Sequence, residues 1–180
     1  MHERRFTGEV ERLRAPERIA RLEIDRVVNL CLEGVRTDNV LDVGTGSGVF
    51  AEAFSQRVKS VAGIDPNPEM LEAAKKFVPS GTFLHGTVED IPLEDNSFDV
   101  VFMGHVLHES DDITKALAEA QRIAKQKVCI LEWPYKQEEA GPPLEHRLKL
   151  DEILSAAKHV GFSSPEITQL HHMVLFRFTI

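Results

Sequence analysis

The sequence predicts one α/β domain, in which a doubly wound, mostly parallel sheet of seven strands carries helices on both faces. Three observations indicate this fold class. Short apolar stretches with the length of buried strands alternate with stretches whose apolar residues recur at helical spacing. A turn rich in glycine joins the first strand to the helix that follows it. The last two strands lie too close together for a helical crossover, so we expect them to pair antiparallel.

Residues 1–37 are expected to form an N-terminal arm and a helical lid on the α/β core of residues 38–180, within a single domain. Pro16 suits the first turn of a helix, and the apolar residues after it keep helical spacing as far as Gly34. A basic arm, Arg4-Arg5-Phe6, precedes this helix. We therefore expect one uninterrupted helix in front of the core.

Seven apolar stretches of the core have the length and the bounding turn residues of buried strands. The predicted strands are residues 39–43, 60–64, 82–84, 98–103, 128–131, 166–170 and 173–179. In open sheets of this kind, ligands bind beyond the carboxyl ends of the strands, where the strand order reverses. Functional residues are therefore expected directly after the strands.

Helices are predicted between these strands from apolar residues on one face and from residues suited to helix ends. Asn67 is a predicted N-cap with Pro68 in the first turn, residues 110–112 cap the next helix, and Gly161 closes the last one. The residues expected to face the core are Val49, Phe50, Ala53, Phe54, Met70, Leu71, Ala74, Phe77, Ile113, Leu117, Ala120, Ile123, Ile153, Leu154, Ala157 and Val160.

Length and composition limit the classes of protein that this chain can be. At 180 residues, 42% of them hydrophobic, it suits one compact domain and excludes a wholly disordered or fibrous protein. No apolar run approaches the ~20 residues of a membrane-spanning helix, and the N-terminus lacks the apolar core of a secretory signal. Cys31 and Cys129 are too few for a disulfide framework, so a cytoplasmic location is expected. The net charge of −8 weighs against nucleic acid as a partner.

The most informative segment is Val40-Leu41-Asp42-Val43-Gly44-Thr45-Gly46-Ser47-Gly48, whose glycines fall where the first strand turns into a helix. Glycine permits a positive φ and leaves no Cβ between the backbone and a ligand. The dinucleotide fingerprint would need a small residue in place of Val49, and the Gly-Lys-Ser/Thr ending of a phosphate-binding loop is absent. The alternative is a tight turn that needs glycine only to let the helix pack.

Asp65 ends the second strand, seventeen residues after Gly48. At that edge of the sheet its carboxylate can accept hydrogen bonds from both hydroxyls of a ribose. The alternative is a solvated or helix-capping aspartate before Pro66. Together, the glycine turn and this acid favour a nucleoside ligand.

Three ordered motifs make the chain resemble the class I S-adenosylmethionine-dependent methyltransferases, a family with a Rossmann-like fold. The family's third motif is typically Gly-Asp-Ala-Glu-x-Leu-Pro, followed by a strand that opens with Ser-Phe-Asp. The matching segments are residues 40–48, Asp65 within Gly63-Ile64-Asp65-Pro66-Asn67-Pro68-Glu69-Met70, and Gly86-Thr87-Val88-Glu89-Asp90-Ile91-Pro92 followed by Ser97-Phe98-Asp99.

The resemblance implies that S-adenosylmethionine is the cofactor. By this analogy the glycines run beneath its methionyl part, Asp42 positions its amino group, and Thr87 and Val88 border the adenine. Thr87 stands where the family usually has aspartate, so a hydroxyl would replace a carboxylate there. The implied cofactor-binding residues are Asp42, Gly44, Thr45, Gly46, Gly48, Asp65, Pro66, Thr87, Val88, Met103, Gly104 and His105.

The function implied is methyl transfer to a small-molecule acceptor by in-line displacement. A catalytically inactive member of the fold, which binds the cofactor as a sensor or partner subunit, is the alternative. A nicotinamide-dependent oxidoreductase is disfavoured by Val49. The third motif and the segment around Trp133 are similar to a subgroup that includes quinone-biosynthesis and small-metabolite enzymes. The acceptor atoms of this subgroup vary, so the identity of the acceptor stays open. The sequence also leaves the oligomeric state open.

His105 and His108 are the candidate catalytic bases, with Glu109 beside them after the fourth strand. Histidine titrates near pH ~6.5 and can exchange protons at physiological pH. The alternatives are that His108 satisfies a backbone group and that Glu109 faces water. Two histidines and a carboxylate on one short segment are thin support for a metal site, so none is predicted.

Trp133 and Tyr135, the only tryptophan and tyrosine in the chain, follow the fifth strand together with Glu132. Their position suggests an aromatic wall of an acceptor pocket, or packing that seals the sheet. Residues 136–144 read as an exposed loop that could cover this pocket. Because the chain has little else with which to build a lid, a small acceptor or a docked partner surface is favoured.

Overall fold

The computed structural model describes residues 10–180, which form one sheet of seven strands in the order β3-β2-β1-β4-β5-β7-β6. The first five strands run parallel, and β7 runs antiparallel to both of its neighbours, β5 and β6. The predicted fold class and the C-terminal antiparallel hairpin are therefore confirmed. The strands are β1 Asn39–Val43, β2 Ser60–Asp65, β3 Thr82–His85, β4 Phe98–Gly104, β5 Ala124–Glu132, β6 Glu166–Gln169 and β7 Val174–Thr179.

The predicted helix ends in the core are confirmed. Asn67 caps its helix by accepting a hydrogen bond from the Glu69 amide, Asp112 accepts from two amides, and Gly161 ends the last helix with a positive φ. None of the helices described is long and apolar enough to cross a membrane. The helices are α1 Val10–Leu13, α2 Pro16–Arg21, α3 Ile24–Leu32, α4 Val49–Ser55, α5 Pro68–Phe77, α6 Ile113–Ile123 and α7 Leu150–Val160, with short 3₁₀ helices at Leu107–Glu109 and Leu144–His146.

The expectation of one uninterrupted N-terminal helix is wrong, because Glu23 interrupts it with a φ of 46° between α2 and α3. Leu22 and Val27 are both buried, at 1% and 0% exposure. Five positions apart in one straight helix, they would point about 140° away from each other. The break lets both enter the core, and the Glu23 carboxylate accepts a hydrogen bond from the His171 amide, which ties the break to the β6–β7 turn. The arm Arg4-Arg5-Phe6 lies outside the described residues.

Two apolar clusters cover the two faces of the sheet, as the doubly wound pattern requires. Successive residues of β4 point to opposite faces: Val101 and Met103 pack in the cluster that includes α6 and α7, and Phe102 packs against Phe50 of α4. The prediction that Phe77 faces the core is wrong. Its side chain is 44% exposed, and the guanidinium of Arg14 lies 3.3 Å from its ring centroid.

Candidate functional site

The glycine turn after β1 has a backbone that only glycine adopts easily. Gly44, Gly46 and Gly48 have φ values of +69°, +52° and +77°. A Cβ on Gly48 would lie 2.9 Å from the Cβ of Ala74, so this glycine serves helix packing, as the alternative interpretation holds. A Cβ on Gly46 would meet only the tip of Leu13, at 3.2 Å. Packing therefore explains Gly48, whereas Gly46 is required by its backbone angle more than by a packed neighbour.

The N-terminal lid covers this turn. Leu13 of α1 is the side chain nearest to Gly46, and the Arg14 guanidinium donates to the backbone oxygen of Ser47 at 2.9 Å and to Glu52 at 2.8 Å. On the other side of the turn, a Cβ on Gly44 would lie 2.5 Å from Val106. The bare backbone of the turn is thus enclosed between the lid and the segment after β4.

Asp42 is buried beneath the turn and holds its two ends together. One oxygen, Oδ2, accepts from the Thr45 hydroxyl at 2.8 Å and from the Ala51 amide at 3.1 Å. Burial raises the pKa of Asp42 to about 7, and these hydrogen bonds oppose the shift. Asp42 and Thr45 therefore fix the path of the chain from β1 into α4.

Asp65 links the glycine turn to the second strand. Its Oδ2 accepts from the Gly46 amide and its Oδ1 from the Asn67 amide, each at 2.9 Å. The residue is 9% exposed, so it is not a solvated aspartate, and burial raises its pKa against these two hydrogen bonds. A carboxylate offers about four acceptor positions. Two of them remain for further donors beside Gly46.

The third motif lies next to Asp65 at the same edge of the sheet. The Gly86 amide donates to the Asp65 backbone oxygen at 3.4 Å, and Thr87 and Asp90 form an isolated bridge with each other. Val88 is buried, whereas Thr87 is only partly buried. The predicted cofactor residue Pro66 is exposed beside them. These residues converge with the glycine turn on the carboxyl ends of β1 and β2.

Met103 and Gly104 end β4 beside β1, and His105 follows directly. Met103 is fully buried, and the amide of His105 donates to the backbone oxygen of Leu131 on β5 at 2.8 Å. The His105 Nε2 lies 3.1 Å from the Met173 sulfur, and its ring centroid is 5.4 Å from that of Trp133. Burial lowers the pKa of His105 to about 3, so the ring is neutral at physiological pH and is a weak base.

Replacing His105 with asparagine is expected to make the protein less sensitive to acid. His105 has a φ of 58°, which asparagine tolerates. A folded-state pKa below the unfolded value means that stability is lost as pH falls below the unfolded pKa of ~6.5. Between pH 7 and pH 5 we expect the wild type to lose up to about 2 kcal/mol more than the variant. Urea denaturation at both pH values measures this difference. If wild type and variant lost the same free energy of unfolding, the lowered pKa of His105 would be contradicted.

His108 and Glu132 form a buried pair: Glu132 ends β5, and His108 lies in the 3₁₀ helix Leu107–Glu109 that follows β4. His108 Nδ1 lies 2.8 Å from Glu132 Oε2, and the His108 amide donates to Oε1 at 3.1 Å. Burial disfavours charge on both groups, but their attraction and hydrogen bonds outweigh it, raising the pKa of His108 and lowering that of Glu132. The sequence indicated His108 but not its partner, since pairing depends on β4 lying beside β5.

The loop after β5 is organised by Arg147, which is 5% exposed. Its guanidinium lies 5.3 Å from the Trp133 ring centroid and donates to four backbone oxygens, with no carboxylate partner among residues 10–180. Trp133 is partly buried, whereas Tyr135 is 46% exposed, so the two aromatic side chains do not share one buried surface. The acceptors are the backbone oxygens of Pro134, Lys136, Ala140 and Pro142.

Residues 10–180 contain no group of three or more histidine, cysteine, aspartate or glutamate side chains placed to hold a metal ion. His108 does bring two carboxylates near it, those of Glu132 and Glu109, but His105 points to the Met173 sulfur instead. The two histidines of this segment are therefore divided between different partners.

Comparison with known proteins identifies the family. Residues 41–131, just over half of the 180 residues, match the family model described as "Methyltransferase domain". The chain belongs to this family, which confirms the resemblance to class I methyltransferases that the motifs indicated. The matched range contains the glycine turn, Asp65 and the third motif.

Relatives of known sequence and structure agree with this assignment. The chain is 39% identical over 92 residues to an uncharacterized methyltransferase, YcgJ, of Bacillus subtilis. The aligned residues cover 48% of this chain and 36% of that relative. It is 37% identical over 99 residues to a demethylmenaquinone methyltransferase of Chlorobaculum tepidum, covering 54% of this chain and 41% of the relative. The chain thus spans about two-fifths of these relatives. A SAM-dependent methyltransferase from Aquifex aeolicus has a similar structure, with a TM-score of 0.86, 27% identity, and coverage of 95% of this chain and 96% of that one.

Proposed function

We propose that this chain is an S-adenosylmethionine-dependent methyltransferase that acts on a small-molecule acceptor. The observation that carries the proposal is the hydrogen bond of 2.9 Å between Asp65 and the Gly46 amide. This hydrogen bond joins two groups to which the family resemblance gives different roles. Asp65 would bind the ribose of the cofactor, and the glycine turn would lie beneath its methionyl part. Family membership and the Aquifex aeolicus structure support the same cofactor.

The residues present fit this cofactor. Two acceptor positions of Asp65 remain for ribose hydroxyls. Gly46 offers backbone without a Cβ, which would allow close approach of the methionyl part. Thr87 and Val88 lie beside Asp65 and would border the adenine. Because Leu13 and Val106 lie against the turn, these two side chains would shift when the cofactor enters.

The cofactor supplies a methyl group on a sulfonium, whose leaving group is already activated. The chain's own residues therefore have to align an acceptor and exclude water, and alignment is worth up to about 7–11 kcal/mol in well-organised cases. Gly104 and His105 at the end of β4 and Trp133 at the end of β5 would border the reactive end. The Arg147-bound loop would close this side from solvent.

The acceptor proposed is small because the relatives of this chain include an enzyme whose printed name gives a small-molecule acceptor, demethylmenaquinone. The named relatives include a demethylmenaquinone methyltransferase and a malonyl-[acyl-carrier protein] O-methyltransferase of Serratia marcescens, which differ in acceptor. The alternative of an inactive sensor has no support from these relatives.

A cytoplasmic location agrees with the two free cysteines, both buried.

Isothermal titration calorimetry tests the proposal directly. We expect S-adenosylmethionine and its demethylated product, S-adenosylhomocysteine, to bind with one site and micromolar-range affinity, and NADH to give no heat. Formation of S-adenosylhomocysteine in the presence of cell-extract metabolites then distinguishes an enzyme from a sensor. Absence of heat with both sulfur compounds would refute the proposal, and binding without product would favour the sensor.

A further inference from the structure

The His108–Glu132 pair is a buried contact between two titratable side chains, and neither residue is among those proposed to bind the cofactor. The two residues are 5% and 2% exposed, and two hydrogen bonds join them. A buried ion pair generally adds little stability compared with apolar residues of similar size. Perturbed titratable groups of this kind occur preferentially at functional sites. The pair also lies at the carboxyl edge of β4 and β5, on the side of the sheet where acceptors are expected.

The two nitrogens of the His108 ring have different surroundings. Nδ1 is committed to Glu132, whereas Nε2 lies 4.0 Å from Oε1 of Glu109. Side-chain exposure rises along this series, from 3% for Glu132 to 6% for His108 and 21% for Glu109. Glu109, on the Nε2 side of the ring, is therefore the most exposed of the three side chains. If Nδ1 carries the proton that Glu132 accepts, Nε2 keeps a lone pair on the side of Glu109.

We propose that His108, held in this orientation by Glu132, is the general base that deprotonates the methyl acceptor, and that the acceptor is a hydroxyl or ammonium compound rather than a carboxylate. This inference rests on the proposed function, because a base has a role only if methyl transfer occurs. His108 is the catalytic residue in this scheme, and Glu132 is a positioning residue. Glu109 provides the path by which the proton leaves.

The step balances in atoms and charge. The proton of the acceptor passes to Nε2 of His108, before methyl transfer for an ammonium and during it for a hydroxyl. The acceptor's oxygen or nitrogen then uses its lone pair to form a bond to the methyl carbon, and the carbon–sulfur bond breaks with its electrons going to sulfur. The products are the methylated acceptor, the neutral thioether and an imidazolium that Glu132 stabilises. The imidazolium then returns its proton to solvent past Glu109. A carboxylate acceptor is already deprotonated and would need no such base.

Within residues 10–180, the charged side chains that act on His108 include Glu132, Glu109 and Arg147. Glu132 of β5 and Glu109 of the 3₁₀ helix favour its protonated form, whereas burial and Arg147 of the loop oppose it. His105, on the segment before it, is neutral at physiological pH. The base works only when unprotonated, so activity should be lost as pH falls through the pKa of His108. Removing the charge of Glu132 lowers that pKa and should move the acidic limb of the profile to lower pH.

The experiment combines imidazole NMR with turnover. The ¹⁵N shifts of His108 give its pKa and tautomer in wild type and in Glu132→Gln, which keeps a carbonyl oxygen for Nδ1–H. Formation of S-adenosylhomocysteine is followed from pH 5 to 9, with catechol, histamine and butyrate as hydroxyl, amine and carboxylate probes. The control is Glu33→Gln, which removes a carboxylate that pairs with Arg177, away from the site.

We expect turnover with catechol or histamine and none with butyrate, and a kinetic pKa that matches the NMR value. In Glu132→Gln both values should move to lower pH together, whereas Glu33→Gln should leave both unchanged. His108→Ala should lower kcat by about 10²–10⁴-fold. Added imidazole should restore part of this kcat, which would not happen if the role of His108 were purely structural.

Three outcomes overturn the inference: methylation of butyrate alone, a pH profile that Glu132→Gln does not shift although the NMR pKa moves, or cofactor binding without turnover of catechol or histamine. In each of these cases S-adenosylhomocysteine still forms with cell-extract metabolites, so the proposed function is not what failed. Absence of cofactor binding would instead refute the proposed function itself.

Discussion

Asp65→Ala is expected to weaken the binding of S-adenosylmethionine by about 10²-fold or more. A hydrogen bond to a charged group is worth about 1.5–3 kcal/mol, and this variant would lose two such bonds to the ribose. It would also leave the Gly46 amide without its 2.9 Å partner, so the turn beneath the cofactor would lose its fixed position. Calorimetric titration of the purified variant with S-adenosylmethionine measures the change.

The control for this variant is Asp38→Ala. Asp38 is an aspartate whose carboxylate forms an exposed ion pair with Lys59 before the start of β1, at the opposite edge of the sheet. We expect its affinity for S-adenosylmethionine to equal that of the wild type. Thermal unfolding of both variants establishes that each is folded. A folded Asp65→Ala protein with unchanged affinity would mean that the cofactor is bound elsewhere.

The features that the sequence predicted are those that local chemistry decides. Asn67 caps α5 because an amide oxygen two residues before the Glu69 amide can reach it, and Gly161 ends α7 because the backbone turns left-handed there. The glycine turn and Asp65 were visible for the same reason: each ends a strand and carries an unusual residue type. Their hydrogen bond to each other required only that β1 and β2 be neighbours, which parallel α/β topology makes usual.

The features that the sequence did not predict depend on distant partners. The break at Glu23 arises because Leu22 and Val27 must both reach a core built from later strands. The role of Glu132 became visible only when β5 was placed beside β4, since its partner His108 lies 24 positions earlier. Arg147 is buried because four carbonyl oxygens of a folded loop surround it, and no local pattern marks an arginine for that position.

Gly48→Ala is expected to lower the free energy of unfolding by about 2–5 kcal/mol, because two penalties add. The first is the left-handed backbone, with a φ of +77°, which costs an L-residue about 1–2 kcal/mol. The second is overpacking: the new Cβ would lie 2.9 Å from the Cβ and 3.0 Å from the Cα of Ala74. Because the Cα is backbone of α5, the helix itself has to move, at about 1–3 kcal/mol. Urea denaturation measures the loss.

Gly34→Ala separates these two penalties. Gly34 has a φ of +73°, close to that of Gly48, but a Cβ there would have nothing within 4 Å. Its variant should therefore lose only the conformational part, about 1–2 kcal/mol. The double variant Gly48→Ala/Ala74→Gly removes the near contact between the two side chains, so its loss should be smaller than the sum of the two single losses. If Gly48→Ala cost no more than Gly34→Ala, then α5 would not press on the turn, and Gly48 would be needed for its backbone angle alone.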